Sequence, residues 1–378
     1  MLAIVDRVEE FQSLQEEWER AWSSDPNATV FVAWPYIELM VNNVLSNWFV
    51  LTFRPEPSAP RVGFLVVEKR MGPDSQSLLV GRGAADETSF LCQPEYENQM
   101  LQELAAAFTT WLSGQSIRLI NILDPRLDRF VAHISDNRRY LVEETKMTPC
   151  PYVRLPRTWD DYLSTVISPK TRHILRSAMR KIRPLQQFHV AESNGEGDGL
   201  DHHIESMVNL YQARWCVSSA KDLDILRQTY RAFARRGMLS LVLFWDGQVP
   251  VAGGASFIDR PRRSLLRYTT CYNPAYARLS PGKALDGELI YWAIERGLHI
   301  FDFGAGGEDY KYFFGSTDRF TRTVRIRPHT MRSRLKPWLA KLKLPVEVSS
   351  DRHPVPVLHG HIATMGQPKL SDSRQQRT

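Results

Sequence analysis

The stretch SLLRYTTCYNPAYARLSPGKALDGELIYWAIERG, residues 264–297, decides the fold. Ser264–Tyr272 has the pattern of a strand, and a helix is predicted to begin near Gly282 and to run to the end of the stretch. A helix start leaves backbone N–H groups unpaired and carries partial positive charge, so the turn at 277–284 suits an anion such as a phosphate. An ordinary helix capped by Ser280 fits the same letters.

A glycine-rich segment, FDFGAGGEDYK at 301–311, follows this helix. A short buried strand is predicted at 300–303, and it ends beside Asp302; Glu308, Tyr310 and Lys311 come after the glycines. Titratable groups at the carboxyl end of a core strand are typical of sites on α/β sheets. The segment is neither a Walker loop nor a Rossmann fingerprint, because the required spacing is missing. A glycine turn with solvated charges is the competing interpretation.

Upstream, residues 169–183 predict a helix with six Lys or Arg and no acid. A clamp for an anionic substrate, a nucleic-acid helix and a solvated basic face all fit this pattern. Further along, Arg214 and Trp215 close a long predicted helix at 200–215. Arg214 suits either a ligand or a buried ion pair, and Trp215 suits the core.

Composition and charge bound the possible functions. The 378 residues are 43% hydrophobic and 24% charged, which predicts a folded chain of about two domains. No apolar run is long enough for a membrane helix, the N-terminal segment is acidic, and the four Cys lack a CxxC pair. A cytoplasmic protein without disulfides or a metal site is expected. Residues 327–378 contain ten Lys or Arg and three Asp or Glu, so their net charge exceeds the +6 of the whole chain. Residues 1–326 are close to neutral and are therefore not expected to bind nucleic acid.

Two halves with a similar order of elements follow from the pattern. The predicted domains are 1–149 and 150–327, followed by a basic and largely disordered tail at 328–378. Residues 331–344 interleave five Lys or Arg with Leu and Trp, which suits either weak contact with an anionic membrane or packing on the protein surface. The remaining predictions are helices at 9–22, 96–112 and 222–236, a helix after Pro35, and strands at 47–54, 61–69, 77–80, 116–123, 188–192, 240–245, 249–258 and 321–326.

The order of these features resembles the GNAT acyltransferase superfamily, in the CelD/BcsL-type branch with a BioF-like domain that is associated with cellulose and exopolysaccharide biosynthesis. The layout is also similar to the FemAB-type peptidoglycan transferases. The resemblance covers about 150–327 and is weaker over 1–149. It rests on Cys150 to Pro156, Trp159, Tyr162, Lys170 to Arg172, Arg214-Trp215, Asp246-Gly247, Val251 to Gly253, Leu279 to Gly282, and Phe301 to Gly304 with Glu308, Tyr310 and Lys311.

The resemblance implies an α/β (α+β) fold of two tandem GNAT-like domains, each a mixed, mostly antiparallel sheet flanked by helices. It also implies acetyl-CoA or another acyl-CoA as co-substrate, with no metal. The residues implied for the donor are Leu279, Ser280, Gly282, Lys283 and Ala284. Those implied for substrate are Arg172, Arg214 and Trp215. Those implied for catalysis are Asp302 or Glu308 as general base, Tyr310 as acid, and Lys311 for charge or substrate.

The expected function is an acyl-CoA-dependent N- or O-acyltransferase acting on a sugar, polysaccharide or cell-envelope precursor. The turn has fewer glycines than the usual GNAT signature, so a FemAB-like aminoacyltransferase that takes an aminoacyl-tRNA is one alternative. A non-catalytic binding protein on a GNAT scaffold is another. The first half lacks a counterpart of the 302–311 segment and is expected to be structural and to shape the substrate site.

Overall fold

A computed structural model of the chain describes residues 1–71, 76–80, 85–111, 116–135, 140–191 and 199–328. The predicted tail lies outside these ranges except for Pro328, and the predicted membrane contact at 331–344 lies wholly outside them. Within the described residues, no helix is both long and apolar enough to cross a membrane.

The first half alternates helices and strands much as the sequence predicts. Its strands are β1 (Leu2–Val5), β2 (Trp48–Phe53), β3 (Gly63–Met71), β4 (Gln76–Val80), β5 (Leu91–Cys92), β6 (Ser116–Ile122) and β7 (Tyr140–Arg154). Its helices are α1 (Val8–Gln12), α2 (Gln15–Ser24), α3 (Trp34–Asn43), α4 (Glu97–Trp111) and α5 (Arg126–Ser135). The single helix predicted at 9–22 is two helices, because the Ser13 hydroxyl donates to the Glu10 carbonyl and competes with the helical pattern.

The second half contains the segment that decides the fold. Its helices are α6 (Trp159–Asp161), α7 (Pro169–Ile182), α8 (Leu200–Trp215), α9 (Ala220–Arg235), α10 (Pro281–Glu295) and α11 (Asp309–Tyr312). Its strands are β8 (Gln186–Ala191), β9 (Leu239–Asp246), β10 (Val249–Asp259), β11 (Ser264–Tyr272), β12 (Ile300–Asp302) and β13 (Thr317–Pro328). A π-helical turn, Tyr162–Val166, and a 3₁₀ segment, Pro274–Leu279, precede α7 and α10.

The two halves repeat one topology within a continuous sheet. Strands β1, β2, β3 and β4 are antiparallel neighbours, β6 joins β4 in parallel, and a final antiparallel strand follows; β8, β9, β10, β11 and β12 repeat this order. The final strands are exchanged, since β7 pairs with β12 while β13 pairs with β6. The predicted fold of two tandem, mixed α/β halves is confirmed. The sheet runs through residue 149 inside β7, so the domain limits stay predictions.

Strand β7 is the main element that the sequence analysis missed, since it assigned 138–155 to a boundary. Two prolines, Pro149 and Pro151, weaken the strand pattern because proline cannot donate to a ladder. The structure uses their carbonyls instead: Pro149 accepts from the Gly306 N–H at 2.8 Å, and Pro151 accepts from the Phe303 N–H at 2.9 Å. This strand therefore holds the glycine-rich segment in place.

Helix α10 packs on α7 with a very close approach. A Cβ at Gly287 of α10 would lie 2.8 Å from a Leu175 methyl carbon and 3.2 Å from the Met179 sulfur, so only glycine fits there. Leu175, Ala178 and Ile182 of α7 belong to the same apolar core as the inner face of α10. This packing fixes the start of α10 relative to the sheet.

Candidate active site

A cavity of about 690 Å³ opens beside β11. The parallel strands β11 and β12 pair only from Ser264 with Ile300 to Leu266 with Asp302. Beyond that point β11 continues to Tyr272, whereas the chain after β12 turns away. The edge of β11 from Arg267 onward has no strand partner on that side within the described residues, and it forms one wall of the cavity.

The start of α10 forms the second wall. Ser280, Pro281, Gly282 and Lys283 line the cavity. Ser280 has a left-handed backbone conformation (φ 56°), and its side chain does not cap the helix. The interpretation of Ser280 as an ordinary side-chain cap is therefore wrong, and the amide groups at this helix start face the cavity without a side-chain acceptor.

Two of the predicted donor-binding residues have side chains elsewhere. Ala284 is completely buried in the core beneath α10, because it lies one turn into the helix on the face that packs inward. Leu279 packs against the edge of the same core. Neither residue lines the cavity. Contact of their backbone with a donor stays a prediction.

The end of α8 forms the third wall and brings Arg214 and Trp215 to the cavity, as predicted. The Arg214 guanidinium lies 5.0 Å from the centre of the Trp215 ring and 5.2 Å from that of Tyr272. It forms no ion pair with any residue in the described ranges. Two aromatic rings thus hold an uncompensated cation at the cavity wall.

Arg172, the other predicted clamp, does not line the cavity. It lies on α7, which packs on α10, and its Nε is buried without a hydrogen-bond partner among the described residues. The two predicted arginines are therefore not brought together, because the close packing of α7 on α10 places Arg172 on another surface. Its role in substrate binding stays a prediction.

The glycine-rich segment forms the floor. Glu308, Tyr310 and Lys311 line the cavity, as does Ala305. The Lys311 ammonium donates to the carbonyls of Ala305 at 2.7 Å and Gly306 at 2.9 Å, and it pairs with Glu308 at 2.9 Å. Lys311 is buried, and its contacts hold the shape of this loop.

Asp302, one of the two predicted bases, lies beneath the floor and does not line the cavity. Its carboxylate accepts the Gly304 N–H at 2.9 Å and pairs with Arg319 of β13. Both carboxylate oxygens are thereby engaged. Since β12 ends at Asp302, the side chain packs inside the turn instead of facing a ligand.

Arg267 is a central residue of the site that the sequence analysis missed. Its Nε donates to Asp286 of α10 at 2.7 Å, its Nη1 donates to the Tyr310 hydroxyl at 3.1 Å, and its Nη2 donates to Thr270. Burial raises the pKa of Asp286, and the nearby Arg267 guanidinium opposes the rise. Alternation along β11 could have placed Arg267 on a face, but no sequence signal pairs it with Asp286.

Asp86 is a second missed residue, and it comes from the first half. It is 8% exposed, it lines the cavity, and its carboxylate accepts the Ala305 N–H. Gly304 has a φ of 68°, and a Cβ there would collide with the Asp86 carboxylate. Burial raises the pKa of Asp86 to about 6 against the opposing Lys311 ammonium. Nothing in the surrounding letters, GAADETSF, indicates this position.

No group of three or more His, Cys, Asp or Glu that could hold a metal ion occurs in the described ranges. The chemistry available is that of carboxylates, a phenol, cations and backbone amides. These groups can bind an anion at one end of the cavity and move protons at the other.

Comparisons with known proteins agree with the fold. Residues 169–312 match the family model described as an acetyltransferase (GNAT) domain. Among curated proteins, the sequence search finds no match. The crystal structure of FemX is similar over 89% of this chain and 99% of that chain, with a TM-score of 0.58 and 11% sequence identity.

Two further solved structures are similar over most of their length. One is the C-terminal domain of a putative lysylphosphatidylglycerol synthetase from Agrobacterium fabrum, with a TM-score of 0.53 and 9% identity over 88% of this chain and 96% of that chain. The other is L-PGS from Bacillus licheniformis, with a TM-score of 0.53 and 11% identity over 89% of this chain and 96% of that chain. At such identities the likeness shows the fold alone. The match of residues 169–312 to that family model agrees with the prediction of a GNAT-like domain in the second half.

Proposed function

We propose that the protein is an acyl-CoA-dependent N- or O-acyltransferase whose acceptor is a sugar, polysaccharide or cell-envelope precursor. One observation carries the proposal: a single cavity joins an uncapped helix start to a cluster of titratable groups. The match of residues 169–312 to an acetyltransferase domain supports it. Acetyl-CoA is the donor we expect, and the cytoplasm is the expected compartment.

The anionic end of the donor fits the wall formed by α10 and α8. The backbone N–H groups of Gly282 and Lys283 suit a pyrophosphate, because a helix start offers unpaired N–H groups and a positive dipole end. The Ser280 N–H donates to the Ala277 carbonyl at 3.0 Å, and Pro281 has no N–H. Lys283 and Arg214 add two cations at the same wall. The unpaired edge of β11 suits the amide groups of an extended pantetheine arm, in the way that an added strand pairs with a sheet edge.

The reaction fits the floor of the cavity. A nitrogen or oxygen of the acceptor attacks the thioester carbonyl, the new C–N or C–O bond forms, and the C–S bond breaks to release a thiolate. A carboxylate takes the acceptor proton, which is general base catalysis. Of the two predicted acids, Glu308 lines the cavity and Asp302 does not. We expect the Tyr310 hydroxyl, which accepts from Arg267 and lines the cavity, to return a proton to the thiolate.

The acceptor class rests on resemblance. The CelD/BcsL-type features point to cellulose or exopolysaccharide biosynthesis. One neighbour in fold is the C-terminal domain of a putative lysylphosphatidylglycerol synthetase, and phosphatidylglycerol is a membrane lipid. Both suggestions are cell-envelope precursors, and this shared class is the one we propose.

Calorimetric titration with acetyl-CoA tests the donor. We expect saturable binding by the native protein and its loss in Gly282→Glu, which puts a carboxylate where the phosphates would lie. The matched control is Ala275→Glu, an exposed position near the turn that does not line the cavity and where binding should persist. Absence of binding to acetyl-CoA and to longer acyl-CoAs contradicts the proposal.

A FemAB-like aminoacyltransferase is the second candidate. It is favoured by the fold of FemX and by α7, whose five cations form no ion pair with a described residue. Transfer from an aminoacyl-tRNA without acetyl-CoA binding would select it. A non-catalytic binding protein would instead keep its function in Asp302→Asn and Glu308→Gln and lose it on charge reversal at Arg172 and Arg176.

A further inference from the structure

We infer that Asp86, carried by the first half, is the general base for the transfer that takes place in the second half. The inference rests on the proposed acyltransfer, and it assigns a residue that lies outside the acetyltransferase domain match at 169–312. It gives the first half a chemical role in addition to a structural one.

The carboxylates that line the cavity differ in their partners. Asp286 is paired with Arg267 at 2.7 Å, and Glu308 is paired with Lys311 at 2.9 Å. Asp86 has no ion pair in the described part of the chain and accepts only the Ala305 N–H. Protonation of Asp286 or Glu308 weakens an ion pair that shapes the site, whereas Asp86 can gain and lose a proton without breaking one.

The surroundings of Asp86 set its proton affinity. From the glycine-rich floor, the Lys311 ammonium favours the charged form, while Asp302 and Glu308 disfavour it. The neighbouring Glu87, the Tyr268 phenol on β11 and the Cys150 thiol on β7 also face it. Burial outweighs the ammonium, so the pKa of Asp86 rises to about 6, within the range that suits a general base at neutral pH.

The Asp86 carboxylate takes the proton from the attacking N–H or O–H while the acceptor atom bonds to the thioester carbon. The C–S bond then breaks, and the thiolate leaves with the electron pair. The thiolate takes a proton from the Tyr310 hydroxyl and becomes the free thiol of coenzyme A. The proton held by the Asp86 carboxyl then returns to the phenolate, which restores both groups.

The position of Asp86 depends on the second half. Its carboxylate occupies the space that a side chain at residue 304 would need, and the Ala305 N–H orients it. The left-handed Gly304 (φ 68°) is therefore required by both the turn and the base. The two halves must meet for the base to face the cavity.

The test measures thiol release from acetyl-CoA with glucosamine as acceptor and with water alone, because a base that activates an amine also activates water. We expect Asp86→Asn to lower kcat by about 100-fold or more, with little change in KM for acetyl-CoA. The native rate should rise with pH through an apparent pKa near 6, and the rise should vanish in the variant. Glu308→Gln should keep the pH-dependent rise.

Asp309→Asn is the matched control. It makes the same chemical change on the exposed side of the floor, outside the cavity, and should leave kcat unchanged. Added formate should partly restore Asp86→Ala, as expected for a missing base and not for a fold defect. The inference is overturned if Asp86→Asn keeps the native rate and pH profile, or if the native protein releases no thiol above the blank despite binding acetyl-CoA. Failure to bind acetyl-CoA at all counts instead against the proposed function.

Discussion

The two halves share one strand order, yet the described residues differ where the parallel strands of each half end. In the second half β12 stops and leaves the edge of β11 open over a space of about 690 Å³. In the first half the segment around Thr88, between β4 and β6, pairs with the end of β6. The Thr88 N–H donates to the Asn121 carbonyl and the Leu123 N–H donates to the Thr88 carbonyl, both at 2.8 Å. The nearby cavity is only about 50 Å³. Topology alone thus does not make a site.

The first half closes this region with a buried ion cluster. Arg126 pairs with Asp25 at 2.9 Å and with Asp124 at 2.8 Å. These two carboxylates also accept the N–H groups of Cys92 and Phe90, both at 3.0 Å. The cluster therefore fixes the segment that contains Phe90 and Cys92. Asp86 precedes these residues in the same segment and faces the second half.

Asp124 of the first half and Asp302 of the second half occupy equivalent turns and make the same kinds of contact. Asp124 follows β6 and accepts an N–H two residues later, at 2.8 Å, while pairing with an arginine. Asp302 ends β12 and does the same with Gly304 at 2.9 Å and with Arg319. The shared geometry supports a turn-shaping role for Asp302 and leaves catalysis to acids that line the cavity.

The largest expected effect on stability comes from removing Arg126 from the buried ion cluster of the first half. Arg126→Met leaves two buried carboxylates without their cation, which should lower the free energy of unfolding by about 3–5 kcal/mol. Denaturant unfolding measures it. The control is Arg129→Ala, which removes a more exposed pair with Glu97 and should lower it by less than about 1 kcal/mol. Similar losses in both variants would mean that the cluster does not hold the first half closed.

The next effect concerns Asp86, because burial raises the pKa of its carboxyl from an ordinary value of 3.8 to about 6 in the folded state. The folded state therefore binds its proton more tightly, and ionisation destabilises the fold as pH rises from about 4 to above 6. Asp86→Asn removes this penalty. It should stabilise the protein at pH 7 by up to about 3 kcal/mol and by almost nothing at pH 3.5, as thermal or denaturant unfolding across this range will show. A variant that is less stable at pH 7 would contradict the burial argument.

A smaller effect is expected from replacing Gly304, which contacts Asp86 of the first half. Comparison with Gly247 separates the cost of a strained backbone from the cost of crowding a neighbouring side chain. Gly304 and Gly247 both have positive φ, 68° and 58°, but a Cβ at Gly247 meets nothing within 4 Å. Gly247→Ala should lower the free energy of unfolding by about 1–2 kcal/mol through strain alone. Gly304→Ala should lower it further and reduce kcat, because the new methyl group displaces Asp86. Equal effects on stability and activity would show that the contact is unimportant.

The smallest effect locates the anion clamp. Arg214→Gln removes an uncompensated cation from the cavity wall and should weaken acetyl-CoA binding by about tenfold, near 1.4 kcal/mol. Arg176→Gln removes a cation from α7, outside the cavity, and should leave binding unchanged. It should also stabilise the helix slightly, because Arg172, Arg176 and Arg180 repel one another at four-residue spacing. Calorimetry of both variants decides whether α8 or α7 holds the donor.

Local patterns predicted most helices and strands of the second half. Leu200–Trp215 and Ser264–Tyr272 have the predicted limits, since strong periodicity and clear end signals define them. Within the candidate site, the turn at Ser280 and Gly282 and the segment from Glu308 to Lys311 were found because helix starts and glycine runs are local signals.

The remaining site residues depend on contacts between distant parts of the chain. Arg267 and Asp286 are an ordinary strand residue and an ordinary helix residue until α10 packs against β11. Asp86 reaches the cavity only because the first half folds against Gly304. Strand β7 was missed because its prolines weaken the strand pattern, although their carbonyls hold the floor of the site.

The exchange of final strands has a consequence for the order of synthesis. Strand β6 pairs with β4 on one side and with β13 on the other. The second side of β6 therefore stays unpaired until residues 317–328 have left the ribosome. The first half thus cannot finish folding while the second half is being made, and its open edge is exposed to other chains during that interval. Cutting the gene near residue 149 would separate β6 from β13 and would divide β7, of which only residues 152–154 pair with β12. The two halves are consecutive in sequence but a single unit in folding.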